Sequence, residues 1–114
     1  MIGYITLGSN DIEKSAAFYD ALLAELGASR FMEMESFIAW ATNPKLPGLS
    51  ITKPFDGNAA TVGNGAMVAL VVESTDKVDS IYAKAIELAA IDEGGPGPRG
   101  DSGLRWILSR FRWQ

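Results

Sequence analysis

The stretch TLGSNDIEKSAAFYDALLAELGA, residues 6–28, decides how the rest of the chain is read. Its first residues close an alternating, β-rich run, YITLG at 4–8, that reads as a strand. Asn10 stands where a helix cap belongs, and Glu13, three residues on, completes the spacing of a capping box. Ile12, Ala16, Tyr19, Leu22, Leu23 and Leu26 then recur at helical spacing, and Gly27 supplies the residue type that stops a helix. A strand followed at once by an amphipathic helix is therefore predicted.

Three short runs follow, SRFMEM, FIAWAT and LSITKP, each with strand character. Glu35-Ser36 and the turn-rich NPKLPG separate them, and Pro54 closes the last. GNG at 63–65 marks another turn, and MVALVVE at 67–73 carries the strongest strand signature in the chain. Ser74 can cap a second helix, in which Val78, Ile81, Tyr82, Ala85, Leu88 and Ala89 share one face. AIDEG reads as a weak strand, GGPGPRGDSG as a loop and GLRWILSRF as a last strand. The predicted order is β-α-β-β-β, then β-α-β-β.

That order is a repeat. Shifted by 63 positions, Tyr4-Ile5-Thr6-Leu7 lies over Met67-Val68-Ala69-Leu70, Lys14 over Lys77, Phe18-Tyr19 over Ile81-Tyr82 and Leu23 over Ile86. One such module leaves an apolar sheet face that it cannot bury alone, whereas two can bury theirs together. The fold class expected is α+β: one domain over 1–114 made of two βαβββ modules, residues 1–62 and 63–114, the second lacking its last strand.

Composition narrows the chemistry. The 114 residues are 47% hydrophobic, enough to build a core, and the net charge of −4 disfavours nucleic acid or an anionic membrane surface as partner. With no cysteine there is no disulfide and no thiolate nucleophile or metal ligand. With no histidine, the commonest general base and the commonest transition-metal ligand are missing as well. The chain opens without a basic leader, and no apolar run approaches a membrane span, so a cytoplasmic protein is expected.

Paired βαβββ modules that open on a strand and then N/D-D-[IL]-E-[KR]-[SA]-x-x-F-Y-D resemble the vicinal oxygen chelate superfamily, which includes glyoxalase I, the bleomycin-resistance proteins and the extradiol dioxygenases. Residues 6–28 carry the resemblance, supported by GNGAMVAL and the GGPGPRG loop, and it is the glyoxalase-like branch that they look like. The resemblance implies a cleft between modules in which inward-facing side chains hold one divalent metal. It sets the first ligand, His or Gln, at Tyr4 and the ligand of the second module's opening strand at Met67. The fourth-strand carboxylate falls in LSIT, whose polar face offers only Ser50 and Thr52, and the last Glu belongs to an eighth strand that the chain does not reach. A phenol of pKa about 10 and a thioether are poor ligands for Mg, Mn, Zn or Fe(II). No functional metal is expected at the usual place, and no cofactor.

The tail is unusual. Three of five arginines and two of three tryptophans fall in the last ten residues. The family continues after such a loop with a pattern close to G-F-x-x-Y-F-x-D-x-D-G-N. Plausible codons for GLRWILSRFRWQ, read one base later, give Gly-Phe-Ala-Gly-Tyr-Phe-Arg-Asp-Phe-Asp-Gly, so a slipped reading frame near Ser102 accounts for the composition. The other reading is a genuine, divergent strand through Leu104, Trp106 and Leu108. Either way an open sheet edge is expected, and with it a homodimer, the assembly the family commonly adopts.

The remaining signals are weak. Arg99-Gly100-Asp101 is read as coincidence, and GGPGPRG lacks the strand–loop–helix context of a phosphate loop. Glu33 and Glu35 share a predicted strand face, which suits a solvated edge better than a carboxylate pair. The function expected is therefore metal-free binding of a small organic molecule in a cleft lined by Tyr4, Thr6, Phe37, Trp40, Ser50, Thr52, Met67 and Ala69. Two alternatives remain. One is a metal-dependent lyase or dioxygenase whose ligands come from Glu33 or Glu35 and a partner chain. The other, if the frame slipped in the genome, is an inactive remnant.

Overall fold

A computed structural model describes residues 1–61 and 63–88 in full, and the backbone of 97–98 and 105–106. The chain forms two compact units, residues 1–62 and 63–113. The first contains β1 (Tyr4–Gly8), α1 (Ile12–Ala24), β2 (Ser29–Met34), β3 (Phe37–Ala41) and β4 (Gly48–Thr52). Their sheet has the order β1-β4-β3-β2. β1 runs parallel to β4, with Thr6 beside Ser50, while β2–β3 and β3–β4 are antiparallel. The mixed α+β character, the helix at residue 12 and the three short strands after it all stand as the sequence predicts. Among the described residues, no helix is long and apolar enough to cross a membrane.

The start of α1 departs from the prediction by one residue. Asp11 is the N-cap, its carboxylate accepting from the Lys14 amide at 3.1 Å. Asn10 is occupied elsewhere: its amide nitrogen donates to the Ala60 carbonyl at 3.1 Å, and its oxygen accepts from the Ala60 amide at 2.7 Å. The side chain thus ties the segment after β4 to the base of α1, and the capping box does not form. Gly27 ends the helix as expected, at φ +75°. The amides of Gly27 and Ala28 bond back to the carbonyls of Ala24 and Leu23, the paired closure of a Schellman motif.

α1 turns Ile12, Ala16, Tyr19, Leu22 and Leu23 inward. They meet Ile38, Trp40, Leu49 and Ile51, all at most 9% exposed. Trp40 is the centre of this layer, its ring centroid 5.6 Å from that of Tyr19. Burial pushes the Tyr19 phenol up to about 12, so the group stays neutral. Each large side chain buried here contributes about 1.5–3 kcal/mol relative to exposure.

The second unit contains α2 (Thr75–Glu87), capped by Ser74 as predicted, with its hydroxyl accepting from the Lys77 amide at 3.2 Å. Val78, Ile81 and Ala85 are its buried residues. β5 (Gly97–Pro98) and β6 (Arg105–Trp106) make a short antiparallel pair, where the sequence suggested a loop followed by a last strand. The strand predicted at 67–73 is a correction: only Ala69 is a bridge residue there, and Met67 and Val71 are exposed. β-propensity alone does not make a strand, and among the described residues 67–73 takes part in one bridge, at Ala69, and in neither of the two sheets. The predicted AIDEG strand and most of the tail lie outside the described residues.

Urea unfolding followed by circular dichroism should rank three variants. Trp40→Ala is expected to cost about 3–5 kcal/mol through the cavity it leaves, and Asn10→Ala about 1–3 kcal/mol through loss of its two hydrogen bonds to the Ala60 backbone. Glu13→Gln should stay within about 0.5 kcal/mol, since no capping box depends on it.

Candidate ligand-binding face

Trp40 fixes which side of the sheet is which. Its indole N–H donates to Asp20 of α1 at 2.8 Å, so its side chain stands on the helix side. Alternation along β3 then places Phe37 and Ala39 on the far side. Tyr4 stands there too: its ring meets that of Phe37 edge-on, centroids 5.7 Å apart, and two rings on strands separated by β4 can touch only over one face. Thr6, Ser50 and Thr52 follow by register, with the Thr6 and Ser50 hydroxyls 2.8 Å apart.

Five of the predicted site residues, Tyr4, Thr6, Phe37, Ser50 and Thr52, therefore share the far face of the first unit's sheet. Trp40 does not; it is a core residue, 1% exposed, because its N–H finds its acceptor on α1. Met67 and Ala69 belong to the second unit, where Met67 is exposed.

The far face also carries residues that simple alternation misses. β2 has an irregularity between Arg30 and Met32. Such a bulge admits one extra residue and reverses the parity of those that follow. Arg30, opposite Trp40, and Glu33, opposite Ile38, consequently both stand on the helix side and form an ion pair. Met32, opposite Ala39, and Met34, opposite Phe37, stand on the far side. Phe31 joins them, because a Cβ built on Gly48 would lie 2.9 Å from a Phe31 ring carbon and 2.8 Å from the Trp40 carbonyl oxygen. Gly48 is thus the floor over which the Phe31 ring lies. Tyr4 and Met34 are each 56% exposed, Phe31 and Met32 somewhat less. The sequence carries no signal for these residues, because the bulge is visible only in the pairing that sets Arg30 and Glu33 on one side.

The helix side is held by charge. Arg30 grips Asp20 with two nitrogens, at 2.8 and 2.6 Å, and its guanidinium lies 5.9 Å from the Trp40 ring centroid. The Arg30 hydrogen bonds hold the Asp20 carboxyl below its ordinary value, with the Trp40 N–H adding to the effect. Glu33 is engaged by Arg30 away from the far face, and Glu35 lies in the turn between β2 and β3 rather than on a strand. The two carboxylates therefore do not form a pair on one strand face.

These residues fit poorly with a divalent ion. The Tyr4 ring is in edge contact with Phe37, the Ser50 hydroxyl is bonded to Thr6 and the Ile5 carbonyl, and the Thr52 hydroxyl donates to the Ser36 carbonyl at 3.1 Å. Neutral hydroxyls already bonded to protein do not replace imidazole or carboxylate. Among the described residues, no three His, Cys, Asp or Glu side chains lie together as a metal-holding group.

Comparison with known proteins places this architecture. A glyoxalase/bleomycin resistance protein from Albidiferax ferrireducens T118 is 32% identical, superposes with a TM-score of 0.77, and is matched over 87% of this chain and 82% of its own. The chain belongs to the glyoxalase/bleomycin resistance protein family. Two more distant structures share the fold. A candidate glyoxalase from Bacillus halodurans has 21% identity and a TM-score of 0.62 over 79% of this chain and 70% of that one. A glyoxalase/bleomycin resistance protein/dioxygenase from Nocardioides has 19% identity and a TM-score of 0.57 over 88% and 69%. No family model and no curated protein matches the chain. Membership in this family agrees with the superfamily that the helix motif resembles.

The Asp20 carboxyl gives a pH test. Its folded-state pKa lies below its ordinary value of 3.8, so the stabilisation is present above that value and is lost as pH falls through the folded one. The stability gap between the native chain and Asp20→Asn should hold steady above pH about 5 and close progressively below pH about 4. Chemical denaturation at each pH measures it.

Proposed function

We propose that this protein binds a small, largely apolar organic molecule on the far face of its first sheet without help from a metal. The observation that carries the reading is the replacement of metal-ligand chemistry by apolar surface. Where the family resemblance sets donors for a divalent ion, this chain has Tyr4 in edge contact with Phe37 and a Ser50 hydroxyl bonded into the protein. Beside them, Phe31, Met32 and Met34 remain exposed. Thioether and aromatic side chains of this kind adapt to flat, polarisable ligands. The protein would sequester or sense its ligand in the cytoplasm rather than transform it.

The 63-residue repeat supports the reading of two βαβββ modules in one domain, the second lacking its last strand. In that reading Met67 and Ala69 occupy in their module the positions that Tyr4 and Thr6 occupy in the first. Large exposed apolar side chains such as Phe55 and Val71 support a homodimer. Light scattering at micromolar concentration should give twice the 12.2 kDa chain mass; a monomer removes the dimer from the proposal.

The chain has only four methionines, which makes the site directly observable. With methyl-labelled methionine, titration with 2-naphthol or indole should move the Met32 and Met34 signals, and dialysis against a chelator should leave the affinity unchanged. Binding that moves neither signal, or that disappears with the chelator, would sink the reading.

A further inference from the structure

The far face holds hydroxyl groups whose protons can be placed. Thr6 Oγ1 and Ser50 Oγ are 2.8 Å apart, and Ser50 Oγ is 3.0 Å from the Ile5 carbonyl oxygen. These two contacts share two protons, one from each hydroxyl, because a carbonyl has none. Only one arrangement puts a proton in each contact: Ser50 donates to Ile5, and Thr6 donates to Ser50. Any other leaves two oxygens 2.8 or 3.0 Å apart with nothing between them. Ser50 is fully buried, at 0% exposure, and shut off from bulk solvent. Thr6 is an exposed residue whose hydroxyl proton is committed inward to Ser50, which leaves its oxygen able only to accept. Thr52 behaves alike: its one proton is shared between the carbonyls of Ser36, at 3.1 Å, and Lys53, at 3.0 Å.

We infer that the far face is a hydrogen-bond acceptor at Thr6, and that it selects neutral aromatic molecules bearing an N–H or O–H group over isosteres that lack one. The inference rests on the binding reading above and adds the chemical class of the ligand. Thr6 neighbours Tyr4 along β1 and Ser50 across to β4, and the Tyr4 and Phe37 rings close over the same face. A flat ligand lying against these rings brings its polar edge to the Thr6 oxygen. Neither Thr6 nor Thr52 has a proton to offer in return, so a ligand group that only accepts gains nothing from them. The Tyr4 phenol can turn either way and does not discriminate. Glu33 and Arg30 stand on the opposite side of the sheet and do not supply charge here.

The test compares matched pairs on the full chain by methionine-methyl NMR: 2-naphthol against 2-methoxynaphthalene, and indole against 1-methylindole. The donor-bearing member of each pair should bind about three- to tenfold more tightly. Thr6→Ser should keep that ratio, and Thr6→Val should bring it to about one. Ser50→Ala tests the orientation itself: freed from its acceptor, the Thr6 hydroxyl can turn and donate, so 2-methoxynaphthalene should gain and the naphthol pair should converge. Equal binding within the pairs on the native chain, with the Met32 and Met34 signals moving, overturns the acceptor assignment and leaves the binding reading intact. A ratio that survives Thr6→Val or Ser50→Ala also overturns it. Failure of all four compounds to move those signals ends both. Should Thr6→Val not fold, the native chain and Ser50→Ala decide the matter.

Discussion

The indole N–H of Trp40 has one place to go, and the first unit is arranged around it. A buried N–H without an acceptor costs free energy comparable to a lost hydrogen bond, so β3 must present Trp40 toward α1, where Asp20 waits. Once that side chain is committed, the period of two along a strand commits the others. Phe37 and Ala39 go to the far face, and the register carries the choice to Ser50 in β4 and from there to Thr6 in β1. A slip of one residue in β3 would put the indole N–H on the far face and Phe37 against the helix. One hydrogen bond thereby selects the composition of two faces.

The same contact explains why β2 is irregular. Asp20 binds Arg30 as well as Trp40, so Arg30 must stand on the helix side opposite Trp40. Glu33 completes the ion pair only if it stands there too. Regular alternation cannot satisfy both, because residues three apart in a strand face opposite ways. The extra residue between Arg30 and Met32 resolves the conflict. It also delivers Phe31, Met32 and Met34 together to the far face. Ion pairs this exposed contribute little stability of their own. Their effect here is on register, and through register on the chemistry of the opposite surface.

What the sequence makes legible follows from how local each signal is. The helix at residue 12, its glycine stop, the Ser74 cap and the three short strands depend on near neighbours, and a single sequence contains those neighbours. Asn10 has the residue type of a cap, but its partner, Ala60, is fifty positions away and competes successfully for the side chain. Nothing in FIAWAT says which way Trp40 faces; Asp20, twenty residues earlier, does. The run at 67–73 has the composition of a strand, but pairing is not a property of composition. Tyr4, Thr6, Phe37, Ser50 and Thr52 are legible as one face because they alternate with the helix-facing residues of three short strands. The three β2 residues are not, since a bulge leaves no mark in hydrophobic alternation.

A face built in this way would recognise a ligand differently from a metal centre. A divalent ion draws oxygen donors strongly and tolerates variation in the rest of the molecule. In the proposed reading, attraction would come from contact area with rings and thioethers, which is broad and weakly directional. Direction must come from the few polar atoms present, and their usefulness depends on whether they are held in one state. A free hydroxyl both gives and takes a hydrogen bond and so rejects little. By bonding Ser50 to a backbone carbonyl and Thr6 to Ser50, the sheet removes that ambiguity using groups already required for its own pairing. A protein that lacks histidine and cysteine altogether can still impose polarity on a ligand. It does so by orienting a neutral group, and the orientation is fixed by the same β1–β4 register that Trp40 sets from the other side of the sheet.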